Sequence, residues 1–260
     1  MAWAPGMWDG LAWFGPLVLA PFIGSFLGVL VRRLPREEPV ILARSACEAC
    51  GRRLGPRDLV PLASYLMLRG RCRGCGASVP AFHPAIELAA FGVALWAGLV
   101  ESEAARLWAG CALGWALLAL AWIDWEHLWL PDVLTLPLVP LGLWTTWLLE
   151  PRLLAEHAVA AALGYLAFRG LATAYRALRG CEGLGQGDAK LLAVAGAWLG
   201  LEALPLVVLM ASLVGLGIAA LQRLRNRVVT AATPVPFGPG LSLAIWLLWL
   251  HGTRLPQPQG

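Results

Sequence analysis

Eight stretches of apolar residues, each bounded by polar or charged positions, divide most of the chain. They are Leu11–Val31, Phe82–Val100, Leu107–Ile123, Leu130–Leu149, Leu153–Leu171, Ala189–Leu199, Leu204–Leu221 and Phe237–Leu250. Apolar runs of this kind predict helices that cross a bilayer, which takes about twenty residues per crossing. Gly and Pro interrupt several of them, and membrane helices tolerate this where neighbours satisfy the freed backbone groups. The sixth and eighth are short for a full crossing. The expected fold class is an all-α polytopic membrane protein with about eight transmembrane helices.

Composition agrees with that pattern. The chain is 59% hydrophobic and 14% charged, with a mean hydropathy of +0.68, which does not suit a soluble globule. Fourteen Trp suit the headgroup layer, where the ring is buried and its N–H stays wet. The first run lacks a basic n-region and reads as a retained anchor rather than a cleaved signal.

The net charge of +4 becomes informative only once it is located. Arg32 to Pro80 carries ten Arg, four acids and four Cys. The positive-inside rule puts this segment in the cytoplasm and the N-terminus in the periplasm. Counting passes from there places Glu101–Arg106, Glu150–Arg152, Glu202 and the tail with Arg254 outside. The turn at Asp124, the segment Arg176–Lys190 and the cluster Arg223–Arg227 fall inside. Treating Ala189–Leu221 as one span would throw the Arg223–Arg227 cluster outside, so eight spans is the preferred count. Under it, Asp124 and Asp188 both lie at the cytoplasmic face. The expected organisation is a first transmembrane helix over 1–31, a small cytoplasmic loop domain over 32–80 and a transmembrane domain over 81–260.

Within the loop, Cys47-Glu48-Ala49-Cys50 and Cys72-Arg73-Gly74-Cys75 form two CxxC pairs, each followed by Gly. This is the spacing of a four-thiolate zinc knuckle, in which each turn presents two sulfurs to one tetrahedral ion. Two disulfides or four free thiols are the alternatives, and a reducing cytoplasm argues against disulfides. A shell of four cysteines has no open position, so the zinc is expected to be structural. It would staple a loop too small to build its own core. Cys111, inside a span, and Cys181, in a loop, are expected to be bystanders.

The chemistry-bearing stretch is Gly183-Leu184-Gly185-Gln186-Gly187-Asp188-Ala189-Lys190. A carboxylate beside a membrane helix is expensive and usually has a function and a partner. Asp124, ending another apolar run in Ile123-Asp124-Trp125-Glu126-His127, is the expected partner. Two carboxylates from different helices are the minimum for splitting a peptide bond with water, one as base and one as acid. Gly185 and Gly187 let the backbone turn tightly and approach a substrate strand. The helix dipole would favour charge on Asp188 and disfavour it on Asp124, and Lys190, if close, would favour Asp188 further. On the bland alternative, Asp188 caps a helix and Asp124 marks a membrane boundary. Glu126 and His127 read as interfacial polar residues, Asp132 as a helix cap and His83 as a boundary residue.

In its ordered motifs the chain resembles the bifunctional prepilin leader peptidases of type IV pilus and type II secretion systems. The similarity runs from Gly24-Ser25-Phe26-Leu27 and Arg33-Leu34-Pro35 through both CxxC pairs, Leu68-Arg69-Gly70-Arg71-Cys72, and Pro84 with Glu87-Leu88. It continues with Asp124 ahead of Leu130-Pro131-Asp132, the stretch Glu182–Leu192, and Pro236-Phe237-Gly238-Pro239. The resemblance implies catalytic aspartates at Asp124 and Asp188 and metal-binding cysteines at Cys47, Cys50, Cys72 and Cys75. It implies a multi-pass protein of the bacterial inner membrane that removes a short basic leader from prepilins and pseudopilins on the cytoplasmic side. It further implies N-methylation of the new terminus with S-adenosylmethionine. The chain departs from the family at Gly28, where Asn is common, and at Asp58-Leu59-Val60-Pro61. Both departures lie in the region that the resemblance associates with methyl transfer.

Two other classes stay in view. A transporter would line a path with intramembrane acids and use the zinc loop as a sensor, but it calls for acids near mid-bilayer and an internal repeat. A secretion-system scaffold would dock a partner through the zinc loop. No nucleic-acid partner is expected, and the oligomeric state stays open.

Overall fold

The computed structural model describes residues 8–40, 44–180, 185–224 and 235–252. Among them the regular structure is helical, with only two isolated β-bridges. The helices are α1 (Trp8–Arg33), α2 (Ala63–Met67), α3 (Phe82–Val100), α4 (Ala104–His127), α5 (Asp132–Leu149), α6 (Leu154–Arg179), α7 (Gln186–Leu199), α8 (Leu204–Leu224) and α9 (Gly238–His251). Every predicted span falls on one of them, α2 being the short extra helix of the cysteine loop. Six of the described helices are long and apolar enough to cross a membrane, and α7 and α9, at 14 residues each, are shorter. Large apolar side chains such as Phe14, Leu99, Leu178, Leu213 and Leu216 are exposed, as expected of surfaces that meet lipid. The protein is a multi-pass membrane protein.

Several boundaries differ from the sequence expectation. Helix α4 continues past Ile123 to His127, so Asp124 lies within a helix rather than just beyond one. Helix α6 runs on to Arg179, because Tyr175 and the arginines beyond it continue the helix without interruption until Gly180 closes it with a left-handed φ of 71°. Helix α7 starts three residues earlier than predicted and takes in Asp188. Cys181 and residues 183–184 of the glycine stretch lie outside the described residues, as do Arg225–Arg227 and Arg254.

The chain divides into two compact units, residues 1–115 and 116–260. In the first, α1 packs along α3 over Leu27, Val31, Ile86, Ala90 and Ala94, all buried. The backbones approach closely because Gly24 has no side chain: a Cβ there would lie 2.6 Å from Glu87 Cα. Small residues at such crossings let membrane helices gain packing contacts that lipid cannot supply. Trp115 donates its indole N–H to the Ala90 carbonyl at 2.9 Å.

In the second unit, α7 packs against α5, α6, α8 and α9. Ten of its fourteen residues are buried. Gly196 and Gly164 make the crossing with α6: a Cβ on Gly196 would meet Ala160 C at 2.4 Å, and one on Gly164 would meet Leu192 O at 2.8 Å. On the α5 side, Trp198 lies over Gly142 and donates to Leu138 O at 2.8 Å. Its ring meets Trp249 of α9 edge to face at 5.1 Å. The far end of α7 is held by polar contacts. His157 Nδ1, buried, is 3.1 Å from both Thr146 Oγ1 and Ala197 O, and Glu156 accepts the Leu201 N–H.

Candidate functional site

The two CxxC turns are built alike. Cys47 N–H donates to Arg52 O and Gly51 N–H to Cys47 O, while Cys72 N–H donates to Ala77 O and Gly76 N–H to Cys72 O. Gly51 and Gly76 adopt φ of 69° and 71°, a region that strains any side chain but glycine's. The bridges Ala46–Arg53 and Arg71–Ser78 close each turn. This geometry brings the four Sγ atoms within 4.8 Å of one another, with Cys47 and Cys75 at 3.9 Å. Four sulfurs around zinc at about 2.3 Å form a tetrahedron with edges of about 3.8 Å, so the cluster fits a metal. The Cys75 and Gly74 backbone N–H groups and the Cys47 thiol hold the Cys72 thiol down to about 6, which favours the thiolate a metal needs. Asp58 ties the linker to the second turn, accepting Gly55 N–H at 3.2 Å and Arg73 Nε–H at 2.8 Å.

In the second unit, Asp124 and Asp188 are buried, 6% and 8% exposed. Asp188 occupies the first turn of α7 and accepts the N–H of Gly185, the residue that caps that helix. Asp124 lies near the end of α4 and accepts the N–H of Gly238, the first residue of α9, at 2.9 Å. The two are close enough for the charge of Asp124 to act on Asp188. Asp124 stands near the C-terminal end of α4 and Asp188 at the N-terminus of α7, as expected, but Asp124 gains a second environment. Packing sets the start of α9 against Asp124, so each carboxylate meets a backbone N–H at a helix N-terminus.

The glycines are required by space. A Cβ on Gly238 would lie 2.7 Å from Asp124 Oδ2, one on Gly185 2.9 Å from Asp188 Oδ2, and one on Gly187 2.7 Å from Leu130 Cβ. Lys190 pairs with an acid other than Asp188. Its ammonium is ion-paired with Asp132 at the start of α5, because residues two apart on a helix point to different faces. Asp132 is thus the partner of a lysine besides opening its helix. Glu126 accepts the Trp122 indole N–H at 2.9 Å and lies 3.8 Å from His127 Nε2, a local cluster on the exposed end of α4.

The first unit holds a chamber of about 480 Å³ between α1, the cysteine loop and α3. Its lining includes Ser25, Arg32, Tyr65, His83 and Glu87. Arg32 lies over the Phe82 ring at 4.4 Å, and its Nε is buried without a hydrogen-bond partner. Glu87 is 7% exposed and accepts the Leu62 N–H at 2.8 Å. That bond holds Leu62 at a φ of 56°, a strained value for a residue of its size. His83, expected to mark a boundary, faces this chamber.

Two family models match the sequence: the Bacterial Peptidase A24 N-terminal domain over residues 18–100 and the Type IV leader peptidase family over residues 111–220. A prepilin leader peptidase/N-methyltransferase of Pseudomonas aeruginosa is 39% identical over 269 residues, covering 93% of this chain and 91% of its own. Relatives of the same name from Aeromonas hydrophila and Dichelobacter nodosus are 40% and 32% identical, each over about nine-tenths of both chains.

The chain belongs to the type IV leader peptidase family.

No solved structure matches it significantly. Membership leaves the transporter and scaffold alternatives without support. The first family model covers the cysteine turns and the chamber, and the second covers both aspartates. Gly238 lies beyond the second match, although its N–H reaches Asp124. Sequence reasoning brought out Asp124, Asp188, Gly185, Gly187 and the four cysteines, and the fold groups them as two clusters. It gave no role to Arg32, Glu87, His157 or Gly238. A lone acid or histidine in an apolar span is the signal that marks Glu87 and His157.

Proposed function

We propose that this chain is a membrane aspartic endopeptidase that removes the leader of type IV prepilins and pseudopilins. It cuts at the cytoplasmic face of the bacterial inner membrane and N-methylates the new terminus. The observation that carries the peptidase reading is the pair of buried carboxylates, Asp124 and Asp188, each anchored by a backbone N–H, with the charge of Asp124 felt at Asp188. In this reading the N-terminus is periplasmic, and the arginine-rich loop and the active site are cytoplasmic. Residues 1–31 serve as the first anchor, 32–80 as the zinc-binding domain and 81–260 as the protease domain.

The substrate's apolar helix enters between the spans while its basic leader stays in the cytoplasm. An extended stretch around the scissile bond lies along Gly185–Gly187, where the absence of side chains admits another backbone. One carboxylate takes a proton from water as it attacks the carbonyl, and the other protonates the leaving amide nitrogen. No covalent adduct with the enzyme forms. Lys190 and Asp132 brace α7 against α5 and so hold the loop in place.

Cys47, Cys50, Cys72 and Cys75 hold a structural zinc ion that fixes the loop. The methyl donor is S-adenosylmethionine. When bound, it would supply an electrophilic methyl group to the new terminal amine. The test is a proteoliposome assay with a prepilin. Mass spectrometry of the product should show loss of the leader and gain of one methyl group. An intact prepilin would overturn the reading.

A further inference from the structure

We infer that α2 and the residues leading into it anchor the cysteine loop in the bilayer, with Leu59, Val60, Leu66 and Met67 among the acyl chains and Arg57 and Arg69 on the phosphates of anionic lipids. The inference needs only a protein that spans a membrane and does not depend on the reaction it catalyses.

The first observation is depth. Helix α3 has 19 residues, which rise roughly 28 Å, close to the hydrocarbon thickness of about 30 Å. Its whole length is needed to cross, so Phe82 stands near the boundary. Glu87 lies further in, about 7.5 Å along the axis, and its side chain leans back toward the helix start. The Leu62 N–H meets that carboxylate at 2.8 Å. The entry to α2 is thereby pinned beside the first turns of α3, within the membrane boundary rather than above it.

The second is the backbone. A segment at that level has to satisfy its own N–H groups, because hydrocarbon offers no acceptor. Pro61, buried, has none to satisfy. Ala63, Ser64, Leu66 and Leu68 donate to carbonyls within the segment. Leu62, the cap of α2, donates to Glu87 instead. An acid inside an apolar helix is costly, and this backbone donor gives Glu87 its partner.

The third is the surface. Leu66 and Met67 are 72% and 82% exposed, and Leu59 and Val60, just before α2, are exposed as well. Leu62 at a φ of 56° and Arg69 at 50° bracket the helix, values that side chains of this size adopt at a cost. The loop thus accepts strain on both sides of a helix that turns its large apolar residues outward. Charge selects the lipid. Arg57 and Arg69, both exposed, flank the patch in sequence. From Leu59 to Ile86 the chain has Arg69, Arg71 and Arg73 and no acid. Asp58, just before, is taken by Gly55 and Arg73. An apolar patch with a basic border matches an anionic headgroup layer.

The test uses the full-length protein with its zinc in nanodiscs of mixed phosphatidylcholine and phosphatidylglycerol. One or the other lipid carries a diazirine on its acyl chain, and tandem mass spectrometry locates the adducts after irradiation. Residues 59–68 should be labelled about tenfold above the first cysteine turn, residues 47–51, and about as strongly as the exposed Leu88 of α3. They should capture the phosphatidylglycerol probe about fivefold over the phosphatidylcholine probe, and Arg57→Gln/Arg69→Gln should bring that preference to about one. Zinc content and melting temperature check the variant, and the wild-type measurement decides alone should it misfold. Labelling of residues 59–68 no higher than that of residues 47–51 would overturn the anchor. Equal capture of the two probes by the wild type would overturn the role of the arginines. Unlabelled residues 59–68 that gain protection from hydrogen exchange only when a prepilin is added would give the patch to the substrate instead.

Discussion

Gly238 N–H donates to Asp124 Oδ2 at 2.9 Å, joining positions 114 apart in the chain. The bond exists because Gly238 lacks a side chain, since a Cβ there would press on the same carboxylate. Gly238→Ala should displace Asp124, and overpacking of this kind costs about 1–3 kcal/mol. Prepilin cleavage is expected to fall by about ten- to a hundredfold in kcat/KM, with insertion intact. Cleavage at the wild-type rate would show that this contact does not position Asp124.

Asp124→Asn and Asp188→Asn keep the shape of each side chain and remove its acid–base chemistry. Each should lower cleavage by about 10²–10⁴-fold, the usual contribution of a positioned acid or base. The double variant should be little worse than either single one, because the two act as a unit. A single-turnover assay with a synthetic leader peptide in detergent checks both statements.

Lys190 and Asp132 form an ion pair whose side chains are 24% and 58% exposed. Pairs exposed to this degree contribute about 0–1 kcal/mol. Lys190→Met and Asp132→Asn should therefore reduce cleavage by no more than about fivefold, and raised salt should narrow the gap from the wild type. A loss as large as that of Asp188→Asn would make Lys190 part of the chemistry instead of a brace.

The four clustered cysteines predict how the loop responds to acid. A metal binds their thiolates, so protons compete with it and binding weakens as pH falls. Zinc retention, followed by metal analysis after dialysis across pH 8 to 5, should fall steadily with pH. Chelation at pH 7.5 should unfold the cysteine loop, read as faster proteolysis within residues 44–80, while leaving both aspartates, which lie in the other unit, in place.

The helices and the cysteine turns were legible because their signals are local. Apolar length marks a span, and CxxC-Gly encodes a turn whose hydrogen bonds close within six residues, as from Cys47 to Arg52. Asp124 and Asp188 stood out because acids are costly beside hydrocarbon. The electrostatics of the pair were not legible. They depend on where α9 begins relative to α4, a consequence of packing between distant segments. The same holds for Arg32 and Glu87, which sit on different helices and become a chamber only when Gly24 lets α1 and α3 close together. The partner of Lys190, Asp132, was not legible either, because it comes from the start of another helix.

The short α7 has a consequence for hydration. Fourteen residues rise about 21 Å, against a hydrocarbon layer about 30 Å thick. A helix of that length leaves roughly 9 Å of bilayer depth unspanned. Backbone groups at such a depth persist only beside protein or water, so the start of α7 at Asp188 would need water or protein around it within the hydrocarbon layer. Under the proposed function, that water would be the nucleophile for hydrolysis. Acyl-chain length would then become a variable of the reaction, since bilayer thickness sets how deep the start of α7 lies.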